Sequence, residues 1–352
     1  MTSIPRLLAL ATAVPPYPLD QDDVIERVKF LFGRSSDLDR LLPVFLNTGI
    51  QRRYSCVPLE WYDQAHGWPE RNQLYLASAL DLLEAATERV LRLTNRNKSD
   101  IDTIVVVSTT GVATPSLDAM LIERMGLRST VQRLPIFGLG CAGGVLGLAR
   151  AATQAAVAHG NTVLFLVVEL CALSFRRDDW SKSNIVATAL FGDGAAAALL
   201  STEGEGPAIV AAGEHTWPAS LDVMGWEVTD SGLKAIFSRD IPNLVTAQLR
   251  RVASEFLARH DLTIDDIDRF VCHPGGTKVI AAIEHAFGLE QGALVEARAV
   301  LRDYGNMSAS TVIFVLERML ANTRAAGERW DRLLMNALGP GFTTGFLVID
   351  NR

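Results

Sequence analysis

Cysteine, histidine and asparagine stand at three glycine-rich junctions of this chain. They are Cys141 in GLGCAGG (138–144), His273 in VCHPGGTK (271–278) and Asn306 in DYGNMSAS (303–310). A thiol, an imidazole and an amide together suit acyl transfer. The thiolate attacks a carbonyl carbon, the imidazole moves the proton, and N–H donors hold the charge that develops on oxygen. Cys141 precedes the apolar, alanine-rich run VLGLARAATQAAVAHG, which reads as a helix. Unpaired amides at a helix N-terminus favour an anion, so this position predicts a lowered thiol pKa. Glycines 138, 140, 143 and 144 let the backbone turn and a substrate approach the sulfur.

Other readings of Cys141 stand beside this one. A free cysteine is commonly a small buried hydrophobe. G-L-G-C-A-G also fits the phosphate-cradling pattern G-x-G-x-x-G, and Glu169 ends a later strand where a ribose-binding acid belongs. Against that, the strand ahead of the glycines, VQRLPIF, is short and broken by Pro135. The order Cys, His, Asn is also that of papain-like proteases. Those keep their cysteine near the mature N-terminus in C-G-[SA]-C-[WY], a setting Cys141 lacks.

The elements that must position these residues alternate between strands and helices. Strands are expected at 103–110, 162–170, 194–201, 269–273, 332–338 and 344–350, apolar as strands buried on both faces are. Helices are expected at 72–95, 116–126, 142–159, 242–260, 277–287 and 308–323. The chain also echoes itself at three points in register. SDIDTIVVVSTT with a helix ending MGL matches DDIDRFVCHPGG with a helix ending FGL. Gly140-Cys141 matches Gly305-Asn306, and FGDG matches LGPG. We read an internal duplication, with an N-terminal half (1–202) carrying Cys141 and a C-terminal half (203–352) carrying His273 and Asn306. The mixed pattern makes the fold a layered α/β one, and His273 lies at a strand's carboxyl end, where ligands of such folds bind.

Composition narrows the function classes. With 352 residues, 49% hydrophobic and 21% charged, the chain can bury a large core. A net charge of −7 argues against general nucleic-acid binding. No apolar run reaches the length of a membrane span. The apolar stretch behind Arg6 breaks at Pro15-Pro16, so a first strand is expected there rather than a signal peptide. Four cysteines at irregular spacing form neither a disulfide framework nor a zinc ribbon, so a cytoplasmic protein with reduced thiols is expected.

GLGCAGG, ALFGDGAAA, HPGG, DYGNMS and LGPGFT resemble, in order, the signature blocks of type III polyketide synthases, the chalcone and stilbene synthase superfamily. VFLNTGIQRRY (44–54) resembles that family's N-terminal region. The resemblance implies a thiolase-like αβαβα five-layer sandwich, a homodimer, and acyl-CoA and malonyl-CoA as substrates, with neither metal nor redox cofactor. It implies that Cys141 is the nucleophile, that His273 holds it as a thiolate–imidazolium pair, and that His273 and Asn306 stabilise the malonyl-derived enolate. Phe191 matches an aromatic gate between coenzyme A tunnel and cavity. A second gate position falls on Ala235, and a methionine that enters the partner's cavity becomes Thr114. A threonine pair becomes Cys171 and Ser174, and a glycine becomes Ala187. Thr109, Thr110 and the turn Gly339-Pro340-Gly341 complete the expected substrate site. For coenzyme A only Arg40 survives of the family's N-terminal basic cluster, Pro43 and Asn47 taking two other positions. Arg52, Arg53, Gly275 and Lys278 are alternative partners.

The missing phenyl group at Ala235 predicts space for a long acyl starter, and RRY and FSRDIP look like bacterial members acting on fatty acyl-CoAs. The expected product is an alkylpyrone or alkylresorcinol. Two rivals remain: an initiating β-ketoacyl-acyl-carrier-protein synthase that condenses once, and a non-catalytic dinucleotide-binding or scaffold protein.

Overall fold

The computed structural model describes residues 4–32, 42–179, 181–238 and 240–352. In chain order the strands begin with β1 (Arg6–Ala13), β2 (Tyr17–Asp20), β3 (Arg52–Ser55), β4 (Thr103–Val107), β5 (Gln132–Ile136), β6 (Val163–Leu170) and β7 (Asp193–Ser201). They continue with β8 (Ala208–Thr216), β9 (Met224–Thr229), β10 (Gly232–Phe237), β11 (Arg269–Cys272), β12 (Arg332–Gly339) and β13 (Thr343–Asp350). Residues of β4, β6 and β7 are buried throughout, on both faces, as their unbroken apolar runs require. The strand expected at 103–110 ends earlier, at Val107, because the chain leaves the sheet to form the site.

Nine strands make one sheet, ordered β11-β12-β13-β8-β1-β7-β6-β4-β5. Its two halves repeat each other. On one side β4 and β6 run parallel, then β6, β7 and β1 alternate in direction. On the other, β11 and β12 run parallel, then β12, β13 and β8 alternate. The halves meet where Arg6 of β1 pairs with Ala208 of β8. β5 extends only the first half, and Pro135 fits there because an edge strand can spare an N–H.

Helices Gly143–Ala155 and Thr311–Ala326 lie between the halves and each packs on strands of both. Outside them, helix Trp68–Thr94 covers β1, β6 and β7. Helix Ile241–Ala258 closes the opposite face, where Phe256 stacks on Phe346 of β13 at 5.2 Å. Helix, sheet, helix, sheet, helix is the five-layer arrangement expected. Sequence periodicity missed helices Gln21–Phe32 and Val295–Tyr304 and the hairpin β9–β10, all of which border the site.

Candidate active site

The Cys141 loop leaves β5 and tightens into one 3-10 turn, Gly140–Ala142, that runs directly into helix Gly143–Ala155. Gly140 has φ +46°, and a Cβ there would fall 2.5 Å from Pro340. The cysteine loop therefore seats on the Gly339-Pro340-Gly341 turn, and only glycine fits. The Gly140 N–H donates to Thr109 Oγ1 at 3.1 Å. Cys141 is half-buried, its Sγ 3.6 Å from Ser308 Oγ. The expected helix-end position is correct, but the lowered thiol pKa is not. Burial pushes the thiol up to about 12, and the Ser308 hydroxyl only partly opposes that. Gly144 also differs from expectation, since its Cβ would meet Ala309 O at 2.3 Å. That glycine makes room for the facing turn Ser308–Ser310 rather than for a substrate.

His273 follows the last residue of β11 and is anchored by its N–H, which donates to Asn336 O of β12 at 2.8 Å. Both ring nitrogens are buried without a hydrogen-bond partner. Burial moves its pKa down to about 3. Burial thus favours the neutral form of both the Cys141 thiol and the His273 imidazole. Asn306 Oδ1 accepts from Ser308 N at 2.8 Å, which fixes the amide orientation. Its Nδ2 is left with a long contact to Gly275 O, 3.4 Å, in the HPGG block. Contacts thus link Cys141 to Ser308, Ser308 to Asn306, and Asn306 to the loop after His273.

Thr109 and Thr110 lie beneath the cysteine loop around a residue the sequence reading assigned elsewhere. Glu169 is fully buried at the end of β6. Its Oε2 accepts from Thr109 N at 3.0 Å and Thr110 Oγ1 at 2.8 Å, while Oε1 has no partner. Burial pushes this carboxyl up to about 7. It cannot reach a ribose at the surface, which removes the dinucleotide reading. The signal was a single acid ending the apolar strand VLFLVVEL.

Cys171, Ser174, Ala187 and Phe191 all line a cavity of about 50 Å³. Its remaining wall is mainly apolar and includes Leu19, Val24, Val28, Leu31, Leu59 and Phe175, so it runs from the gate residue toward helix Gln21–Phe32. Phe191 bridges to Asn306 through the backbone, which couples gate and site. Ala235 packs in the same cluster as Phe191, but the space predicted beside it is filled. Trp226, its partner across β9–β10, has its ring 6.0 Å from Phe191, and Phe237 lies at 5.7 Å. Thr114 is exposed and takes no part in the cavity lining.

The candidate coenzyme A residues separate. Arg40 lies outside the described residues. Arg52 is exposed and its Nε pairs with Asp20 at 2.7 Å. Arg53 is 2% exposed and lines the cavity, so it is withdrawn from the outer surface where a phosphate would arrive. Gly275 is half-buried beside Asn306, and Lys278 is exposed in the first turn of helix Thr277–Phe287. Among the described residues no helix is long and apolar enough to cross a membrane.

Comparison with known proteins agrees with this geometry along the whole chain. Residues 3–204 match the N-terminal domain, and 208–351 the C-terminal domain, of the chalcone and stilbene synthases. The 1,3,6,8-tetrahydroxynaphthalene synthase of Streptomyces peucetius subsp. caesius is 38% identical over 97% of this chain and 92% of its own. The 3,5-dihydroxyphenylacetyl-CoA synthase of Streptomyces toyocaensis is 29% identical over 96% and 88%. The crystal structure of 1,3,6,8-tetrahydroxynaphthalene synthase from Streptomyces coelicolor A3(2), described as a bacterial type III polyketide synthase, superposes with a TM-score of 0.92. It is 27% identical and covers 98% of this chain and 99% of that one. The chain belongs to the type III polyketide synthases, the family of the chalcone and stilbene synthases, and is an acyltransferase that uses malonyl-CoA.

Proposed function

We propose that this enzyme loads a medium- or long-chain fatty acyl group from coenzyme A onto Cys141, extends it repeatedly with malonyl-CoA, and releases an alkylpyrone or alkylresorcinol. What supports the reading is the mainly apolar lining, from Cys171 and Phe191 toward helix Gln21–Phe32, of a cavity of about 50 Å³ that a bound chain would have to widen. A methylene chain gains there by leaving water, about 0.8 kcal/mol for each buried CH₂.

The steps follow from the chemistry of the three side chains. As Cys141 Sγ attacks the thioester carbonyl, its proton passes to the unprotonated ring nitrogen of His273 and stays there, and coenzyme A leaves as the thiolate, which takes a proton from solvent. Malonyl-CoA then binds and loses carbon dioxide. The electron pair of the broken C–C bond forms an enolate, whose oxygen accepts hydrogen bonds from Asn306 Nδ2 and from the ring N–H that His273 gained from Cys141. The enolate carbon attacks the acyl carbonyl on Cys141, expelling the thiolate, and the lengthened chain returns to Cys141 for the next round. Decarboxylation itself supplies the carbanion, so this sequence calls for no metal or redox cofactor. Lys278, beside HPGG, is the described residue best placed for the phosphates of coenzyme A, and the working form is a homodimer.

Mass spectrometry of products from a mixed acyl-CoA assay tests the reading. Alkylpyrones or alkylresorcinols from medium and long chains are expected. Preference for aromatic, acetyl or malonyl starters overturns the starter assignment, and a single condensation dependent on carrier protein overturns the iterative one.

A further inference from the structure

Two small cavities border the site. The first, of about 50 Å³, is lined in part by Cys171, Ser174, Ala187 and Phe191. The second, of about 10 Å³, is lined in part by Thr110 and Ser174 and, from the hairpin β9–β10, by Trp226 and Leu233. Ser174 is common to both. A space of about 10 Å³ has room for about one water, so a growing chain needs more than it offers. Both cavities lie close to the reacting groups. Phe191 bridges to Asn306 through the backbone. Thr110 shares Glu169 with Thr109, which accepts from Gly140 N beside Cys141.

Trp226 stands where an aromatic gate is missing. It pairs across the hairpin with Ala235, the position at which the family resemblance implies a phenyl group. Its ring lies 6.0 Å from that of Phe191, and it packs on the buried cluster of Cys171, Ala187, Phe191 and Ala235 while itself only half-buried. The hairpin is pinned at its turn. Arg176 Nη2 donates to Gly232 O at 2.8 Å and to Thr229 Oγ1, and a Cβ on Gly232 would fall 2.4 Å from the Trp68 ring. We propose that Trp226 restores, from the opposite strand, the gate lost at Ala235, and that its indole limits the length of chain the site accepts. This rests on the reading that the acyl chain lies beside Cys171 and Phe191. It makes Trp226 a specificity-determining residue for starter length and for the number of malonyl units added.

Trp226→Ala and Trp226→Phe test it, each assayed beside wild type with malonyl-CoA and starters from acetyl- to dodecanoyl-CoA. Trp226→Ala should raise kcat/KM for dodecanoyl- relative to hexanoyl-CoA, about fourfold for each further methylene buried. Mass spectrometry should also show one or more extra malonyl units on the short starters, with Trp226→Phe falling between. A side chain that only packs would lower all starters alike. A starter ratio and product lengths unchanged from wild type, or shifted toward shorter chains, therefore overturn the proposal. If Trp226→Ala does not fold, Trp226→Phe decides alone. A wild type that takes no starter longer than acetyl counts instead against the fatty-acyl reading, and the malonyl units added by the variants still decide on Trp226.

Discussion

The two halves of the molecule use the same strand order to different chemical ends. In the first, β4 and a helix lead to edge strand β5, then to Cys141 at the head of helix Gly143–Ala155. In the second, β11 and a helix lead to Asn306 just before helix Thr311–Ala326, but helix Val295–Tyr304 takes the place of an edge strand. The cysteine is left half-buried and reachable, whereas the asparagine is 3% exposed with its carbonyl tied to Ser308. Duplication supplied two equivalent helix heads, and divergence gave one a nucleophile and the other a fixed donor. Under the proposed function, attachment of the chain depends on the first half and formation of the carbanion on the second.

Removing the two residues separately breaks that division. Cys141→Ala should abolish both acyl-enzyme and product, with the fold retained by circular dichroism. Asn306→Ala should still load Cys141, visible as an acyl adduct by intact-protein mass spectrometry. Its extension rate should fall about 10²- to 10³-fold, the usual cost of losing one oxyanion donor. An Asn306→Ala enzyme that cannot load, or that extends normally, would show that the two helix heads do not divide the work.

The packing between the heads gives a smaller effect. Gly144→Ala places a methyl group 2.3 Å from Ala309 O, a backbone atom that cannot swing aside. Overpacking of this kind costs about 1–3 kcal/mol, and this site belongs at the upper end. The loss of stability by urea denaturation should come with reduced condensation, because the displaced turn carries Ser308, which touches both Cys141 and Asn306. Gly126→Ala provides the contrast, since nothing lies within 4 Å of its added Cβ and its cost comes from φ +64° alone.

What the sequence revealed was local. Cys141, His273 and Asn306 were legible because each stands where a strand or loop meets a helix among glycines, and the repeat order placed them in one architecture. Burial was not legible. The helix-end argument for a reactive thiol held for position, but desolvation, which depends on residues distant in sequence, pushes the thiol pKa the other way. Arg53 looked like a surface charge in QRRYS until the strand put it inside, while Arg52 beside it pairs with Asp20 at the surface. Ala235 looked like an opened gate because its cross-strand neighbour, Trp226, is fixed by hairpin register, which the sequence reading had not identified. Glu169 was seen, but as a ribose ligand, because only the fold reveals that Thr109 and Thr110 already hold it.

The smallest effect concerns the two titratable members of the site, one from each half. Burial raises the Cys141 pKa and lowers that of His273, so each favours its neutral form for the same reason. For His273 the consequence for stability can be measured. Its pKa falls from the usual 6.5 to about 3 in the folded chain. Between these values the unfolded chain holds a proton that the folded chain does not, so stability falls as pH falls through that window. His273→Gln carries no such proton. Relative to wild type, the variant should gain about 2 kcal/mol on going from pH 7 to pH 5, where the linkage is about 1.4 kcal/mol per pH unit below 6.5. Urea denaturation of both proteins at the two pH values measures this directly. A constant difference would mean that His273 keeps an ordinary pKa when folded. A difference that runs the other way would mean that the folded chain holds the proton, as the thiolate–imidazolium pair implied by the family resemblance requires.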